Sequence, residues 1–173
     1  MADCDIIAGI GKVCKGNLAG NKKIYIINDI AEPFTVVDGA ATGINAGISE
    51  VFEFDITGDG NTLDQSMPSD RNTFTTLNTQ TLTLLLGKLD VTKNATLNSL
   101  TYGFPSAVVV DRNNNYHAVG IDDGIDFTVV GSTGGVKNDL NGYTLTGVST
   151  TGALAPILDE ATVTALLALV VSN

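Results

Sequence analysis

Between Thr79 and Leu86 the chain alternates, with Thr79, Thr81 and Thr83 on one parity and Gln80, Leu82, Leu84 and Leu86 on the other. A period of two matches the pleat of a β-strand, whose successive side chains point to opposite faces, and cannot line one face of a helix. A long strand is therefore predicted within the segment Thr73 to Leu86. Glu50 to Thr57 alternates in the same way, with Phe52, Phe54 and Ile56 on one side and Glu53 and Asp55 on the other. Composition agrees: 173 residues hold 21 Thr and 15 Asn against four Glu, so strand and turn formers outnumber the residues that build surface helices. At 43% hydrophobic and 16% charged, the chain can form a real core, and its length suits one domain.

Further strands follow from local patterns. Lys22 to Asn28 is a β-branched and aromatic run between Gly20 and Asp29, the pattern of a buried strand, and Glu32-Pro33 breaks it. Ala107 to Val110, the turn Asp111-Arg112-Asn113-Asn114-Asn115 and Tyr116 to Gly120 form the clearest hairpin. Asp126 to Val130 and Asn141 to Val148 are two more strands, joined by the loop 131–140. Gly39 to Gly47 and Gly58 to Pro68 read as loops. Asp90 is a helix N-cap, with Leu89, the Lys93 stem, Leu97 and Leu100 at helical spacing and an end near Gly103. After Asp159, Val163, Leu166, Leu167 and Val170 follow the i, i+3, i+4, i+7 pattern of a short C-terminal helix, although the β-branched content allows a strand. Its apolar run is too short to span a bilayer. The expected fold is mainly β, an antiparallel sandwich or barrel-like body with one flanking α-helix and a short C-terminal helix. The expected divisions are a basic arm at 1–23, a β-body at 24–150 and an apolar extension at 151–173.

Charge is unevenly placed. The net charge is −10, yet Lys12, Lys15, Lys22 and Lys23 crowd into residues 12–23, while residues 24–70 hold nine acids and no base. An acidic chain is a poor non-specific binder of nucleic acid and of anionic membrane. Complementary patches of this kind set register between copies. Intersubunit contacts are therefore expected between Lys12, Lys15, Lys22 and Lys23 of one copy and Glu50, Glu53, Asp55, Asp59 and Asp64 of the next.

Chemical motifs are weak. There is no Trp, His117 is the one histidine, and Cys4 and Cys14 are the two cysteines. The N-terminus has no continuous apolar run of the secretory type, so folding in the cytoplasm of the producing cell is expected, with both thiols free and packed as small hydrophobes; a Cys4–Cys14 bridge formed later is the rival. Without export, the sequon Asn94-Ala95-Thr96 carries no meaning. Asp55-Ile56-Thr57-Gly58-Asp59-Gly60-Asn61 has the beginning of a calcium loop, but its third position is Thr and its twelfth Ser66, so a turn is expected. Gly9-Ile10-Gly11-Lys12 is a fragment of a phosphate loop without the remaining glycines. His117 reads as structural. Asp122, Asp123 and Asp126 read as a solvated turn, and an unrecognised carboxylate enzyme site there is the third-ranked hypothesis. No catalytic, cofactor or metal residue is assigned.

Taken in order, the Cys4 and Cys14 frame before Lys22 to Ile27, the Asp111 to Gly120 hairpin with its acidic Gly turn, and Asn141-Gly142-Tyr143-Thr144-Leu145-Thr146-Gly147 resemble virion structural proteins of tailed phages infecting Bacteroidetes. Size and element order are similar to phage tail tube proteins over roughly residues 1–150. The resemblance implies a β-sandwich whose copies close into hexameric rings stacked as a viral tail tube, a homo-oligomer within the virion that also meets other virion proteins. The acids between Asp29 and Asp70 would then line a lumen that DNA crosses as non-specific cargo. The alternative from a different class is a capsid-associated module, such as a head-fibre base, decoration protein or connector ring. Ala161 to Val171 extends beyond the resemblance, and such a tail could anchor the subunit to another ring or to the capsid.

Overall fold

The computed structural model describes residue 6, residues 8–56 and residues 58–171; Cys4 and Thr57 lie outside them. The chain is mainly β, with antiparallel sheets and two helices among the described residues. In chain order the elements are β1 (Asn21–Ile27), β2 (Phe34–Val37), β3 (Ala40–Ile44), β4 (Val51–Asp55), β5 (Thr62–Ser66), β6 (Ser69–Asp70), β7 (Thr75–Thr76) and β8 (Asn78–Gly87). Then come α1 (Val91–Tyr102), β9 (Ser106–Asp111), β10 (Tyr116–Val119), β11 (Asp126–Ser132), β12 (Gly142–Thr151), β13 (Ile157–Leu158), α2 (Glu160–Ala168) and β14 (Val170–Val171). An eight-stranded sheet runs β14-β4-β1-β9-β10-β13-β3-β2, a four-stranded sheet β11-β12-β8-β5, and β6 pairs with β7.

The two continuous apolar runs occupy the middle of the larger sheet. Ile24 lies opposite Val109, Tyr25 opposite Val108 and Ile26 opposite Ala107, all buried. A strand covered on both faces needs no polar alternation, which is why Ile24 to Ile27 and Ala107 to Val110 read as unbroken hydrophobic stretches. On one face, Ile24, Ile26 and Val109 meet Leu82, Leu84 and Leu145 of the smaller sheet, and α1 adds Leu97 and Leu100 to the same cluster. On the other face, Tyr25, Ile27, Val108 and Val110 join Phe34, Ala41, Val51 and Leu166. Truncating a fully buried leucine such as Leu84 to Ala costs roughly 2–5 kcal/mol.

The predicted strands at Lys22–Asn28, Glu50–Thr57, Asp126–Val130 and Asn141–Val148, and the hairpin of β9 and β10, all form within a few residues of the expected bounds. The long strand begins later than Thr73, at Asn78, because Thr75–Thr76 turns back onto Ser69–Asp70. Both segments expected as loops contain strands. Asp38 and Gly39, with φ of +50° and +79°, make the tight turn that joins β2 to β3, and only small or turn-forming residues tolerate such values readily. Within Gly58 to Pro68, β5 adds to the edge of the smaller sheet by pairing with β8.

The helices also carry corrections. Asp90 stands at the N-cap of α1 without a side-chain cap; its backbone N–H instead donates to the Tyr143 hydroxyl at 3.2 Å. Asp159 caps α2 through the Thr162 N–H at 2.8 Å. Leu166 is buried, but Leu167 is exposed and Val170 belongs to β14. Residues 157–171 are built into the larger sheet, β13 pairing with β3 and β10 and β14 running parallel to β4, so this stretch is not a free tail.

Candidate functional site

The four lysines expected to form one arm divide into two groups. Lys22 and Lys23 lie inside β1. Lys22 Nζ donates to the Asn114 side-chain carbonyl, and Lys23 closes an ion pair with Glu53 at 2.7 Å in the same chain. The Glu53 hydrogen bond raises the Lys23 pKa above its ordinary value against the smaller effect of burial. Lys12 and Lys15 remain exposed on a segment without regular structure. Of the acids, Asp59 pairs with Arg112 at 3.2 Å and Asp64 accepts from the Thr62 hydroxyl at 3.0 Å, while Glu50 and Asp55 are exposed.

The arm is held at its base. Asn113, in the β9–β10 turn, accepts the Leu18 N–H at 3.0 Å and donates to the Leu18 carbonyl at 2.8 Å and to the Asn17 side chain at 2.6 Å. Asp111 shapes that turn by accepting from the backbone N–H groups of Asn113 and Asn115, at 2.8 and 2.9 Å, and from the Asn115 side chain at 2.9 Å. Its other neighbour is His117, at 3.3 Å. Burial works to raise the Asp111 carboxyl, but these hydrogen bonds outweigh it and hold the carboxyl below the usual range. Before Asn17 the chain projects: Ile10 and Val13 are exposed, and a Cβ built at Gly9, Gly11 or Gly16 meets nothing within 4 Å. Cys14 lies on this segment with an exposed thiol, which corrects the expectation that it packs as a small hydrophobe.

A cleft of about 660 Å³, inside the range of about 300–1,000 Å³ common to ligand sites, lies beside β2. Glu32, the β2 residues Phe34 to Val36, Asp122 and the segment Thr151 to Leu154 line it. Here the space between the sheets ends in polar side chains. Gln80 is 1% exposed; its Oε1 accepts the Gly120 N–H at 3.1 Å, while its Nε2 has no partner among the described residues. Asn78 donates to the Ala153 carbonyl at 2.8 Å, leaving its Oδ1 unmatched, and Ser149 Oγ is unmatched as well. A buried polar atom left unmet costs about 1–3 kcal/mol.

Asp122 and Asp123 are exposed in the turn after β10, and Asp126 starts β11. No group of three or more His, Cys, Asp or Glu among the described residues could hold a metal ion. Asn61, in the motif with calcium-like spacing, is buried: its Nδ2 donates to the Ile56 and Gly58 carbonyls and its Oδ1 accepts the Leu85 N–H at 2.8 Å. It therefore fastens the turn to β8. His117 is half-buried in β10 beside Asp111, and Asn94 of the sequon binds the Tyr143 hydroxyl. No helix among the described residues is long and apolar enough to cross a membrane.

Gln80 and Glu32 were missed as site residues in the sequence. Gln80 stands where the Thr/Leu alternation requires an inward side chain, and a polar residue at an inward position of a strand was the available signal. Compared with known protein families, curated proteins and solved structures, the chain matches none.

Proposed function

We propose that this chain is a non-enzymatic virion structural protein of a tailed bacteriophage, of the tail-tube type, whose copies close into rings that stack into a tube for DNA passage. The observation that carries this reading is the arm. Residues 8–16 leave an acidic body at a hydrogen-bonded base and hold Ile10, Val13, Lys12 and Lys15 in solvent, where they add nothing to the subunit's own core. An apolar and basic segment presented in this way is suited to another surface, and the body has a charge of the opposite sign.

Three further points support it. The two sheets share one apolar cluster, as the halves of a β-sandwich do. Every acid between Asp29 and Asp70 is exposed except Glu53, enough to line a lumen that repels phosphate and lets duplex slide. The resemblance to phage tail tube proteins suggests six subunits per ring and a place in the virion.

Negative-stain electron microscopy of the purified protein at high concentration tests the proposal. Stacked rings with a central hole are expected. Compact particles or closed trimers that persist after prolonged concentration would overturn the tube and favour a capsid-bound module.

A further inference from the structure

We infer that residues 8–16 of one copy lie in the cleft beside β2 of the next copy, extending the free edge of the larger sheet. This rests on the self-assembly reading above and adds the site of contact.

The arm leads into β1, and the cleft is lined by the edge strand β2, with β9, β10, β13 and β3 between them in the larger sheet. Two different patches of this kind can meet reciprocally in a symmetric pair or in succession around a ring.

Charge, shape and hydrogen bonding agree. From residue 6 to residue 28 there is no acid, and Lys12 and Lys15 are the arm's charges. The cleft is lined by Glu32 and Asp122 and by no base. Val36 and Leu154 line the cleft at 43% and 53% exposure, an apolar wall for the arm's own apolar residues. Among the described residues β2 pairs only with β3, so its outer backbone groups are open to an added strand, which alternates its side chains between pockets as it binds. Nine extended residues reach roughly 30 Å, enough to span from one copy to its neighbour.

The native Cys14 supplies the probe. One full-length protein carries Cys4→Ser and keeps Cys14. A second carries Cys4→Ser and Cys14→Ser with either Leu154→Cys or Val36→Cys, both at exposed positions. The two are mixed and mildly oxidised, and disulfides are mapped by mass spectrometry. Docking is expected to give a cross-link between Cys14 of one protein and the introduced thiol of the other. In an otherwise native chain, Lys12→Glu with Lys15→Glu should raise the concentration at which copies associate by about tenfold or more, and a partner carrying Glu32→Lys and Asp122→Lys should restore association. Oligomers that form without the cross-link and ignore the arm's charge overturn the docking and leave self-assembly standing. A chain carrying both Cys14 and Leu154→Cys that cross-links internally at high dilution overturns docking between copies. Monomers at every concentration, with no cross-link at either wall position, overturn both proposals.

Discussion

Lys23 and Glu53 form an ion pair of 2.7 Å across β1 and β4 of one chain, so a lysine that the sequence groups with the arm belongs to the body. With the two side chains 41% and 28% exposed, solvent screens the pair and limits its worth. Lys23→Glu would set a carboxylate beside Glu53 and opposite Asp55, and about 1 kcal/mol of stability should be lost. Lys12→Glu and Lys15→Glu, on the projecting arm, should change stability by less than about 0.5 kcal/mol. Urea unfolding of the three variants checks the division; equal losses would place all three lysines in one structural role.

Tyr25 makes the fold sensitive to alkali. Burial, and then Glu53, push its phenol from 10.0 up to about 12. The unfolded chain therefore releases this proton first as pH rises from 10 toward 12, while the folded chain keeps it. The contribution of Tyr25 is complete below the lower value and lost as pH passes the upper one. Lys23, also raised, acts in the same direction above its ordinary 10.5. Urea midpoints measured across this window should fall, and Tyr25→Phe should flatten the decline. An unchanged slope in that variant would assign the alkaline loss to other groups.

Much of this architecture was legible because it rests on local periodicity. Phe52, Phe54 and Ile56 announced the inward face of β4, and Asp111 to Asn115 announced a turn whose backbone donors Asp111 does accept. β2 and β3 were harder to read. Their strands contain Ala40, Ala41 and Gly43, which carry little strand preference, and the one clear signal was Asp38-Gly39 between Val37 and Ala40. The partner of β14 was illegible for another reason: Val170 pairs with Val51 over a long separation, and no local pattern specifies such a partner. The cleft has the same origin, since Gln80, Glu32 and Asp122 meet only through topology.

Asp111 should govern both acid stability and the arm's base. Its lowered carboxyl contributes stability that is full above the unfolded value of 3.8 and is lost as pH falls through the lower folded value. Asp111→Ala leaves the exposed Asn113 and Asn115 N–H groups to water, at an expected cost of about 0.5–1.5 kcal/mol. Because Asn113 holds Asn17 and Leu18, hydrogen exchange at Leu18 should speed up even under conditions where the sheet stays protected. Normal exchange at Leu18 in the variant would show that Asn113 keeps its place without Asp111.

Gly124 and Gly39 share the same backbone φ, +79°, in different surroundings, which allows backbone strain to be separated from steric contact. A Cβ at Gly39 meets nothing within 4 Å, so Gly39→Ala should cost only the left-handed conformation, about 1–2 kcal/mol. At Gly124 the added Cβ would stand 2.4 Å from the Phe104 carbonyl oxygen and 2.7 Å from the Phe104 Cβ. Ile125, the next residue, is fully buried and donates its N–H to the Pro105 carbonyl at 2.9 Å, so neither segment can retreat freely. Gly124→Ala should therefore lose about 1–3 kcal/mol more than Gly39→Ala. Urea unfolding of the two variants measures the difference directly. Equal losses would mean that the Phe104–Pro105 segment yields, and that the acidic turn carrying Asp122 and Asp123 is held less firmly than its close backbone contacts indicate.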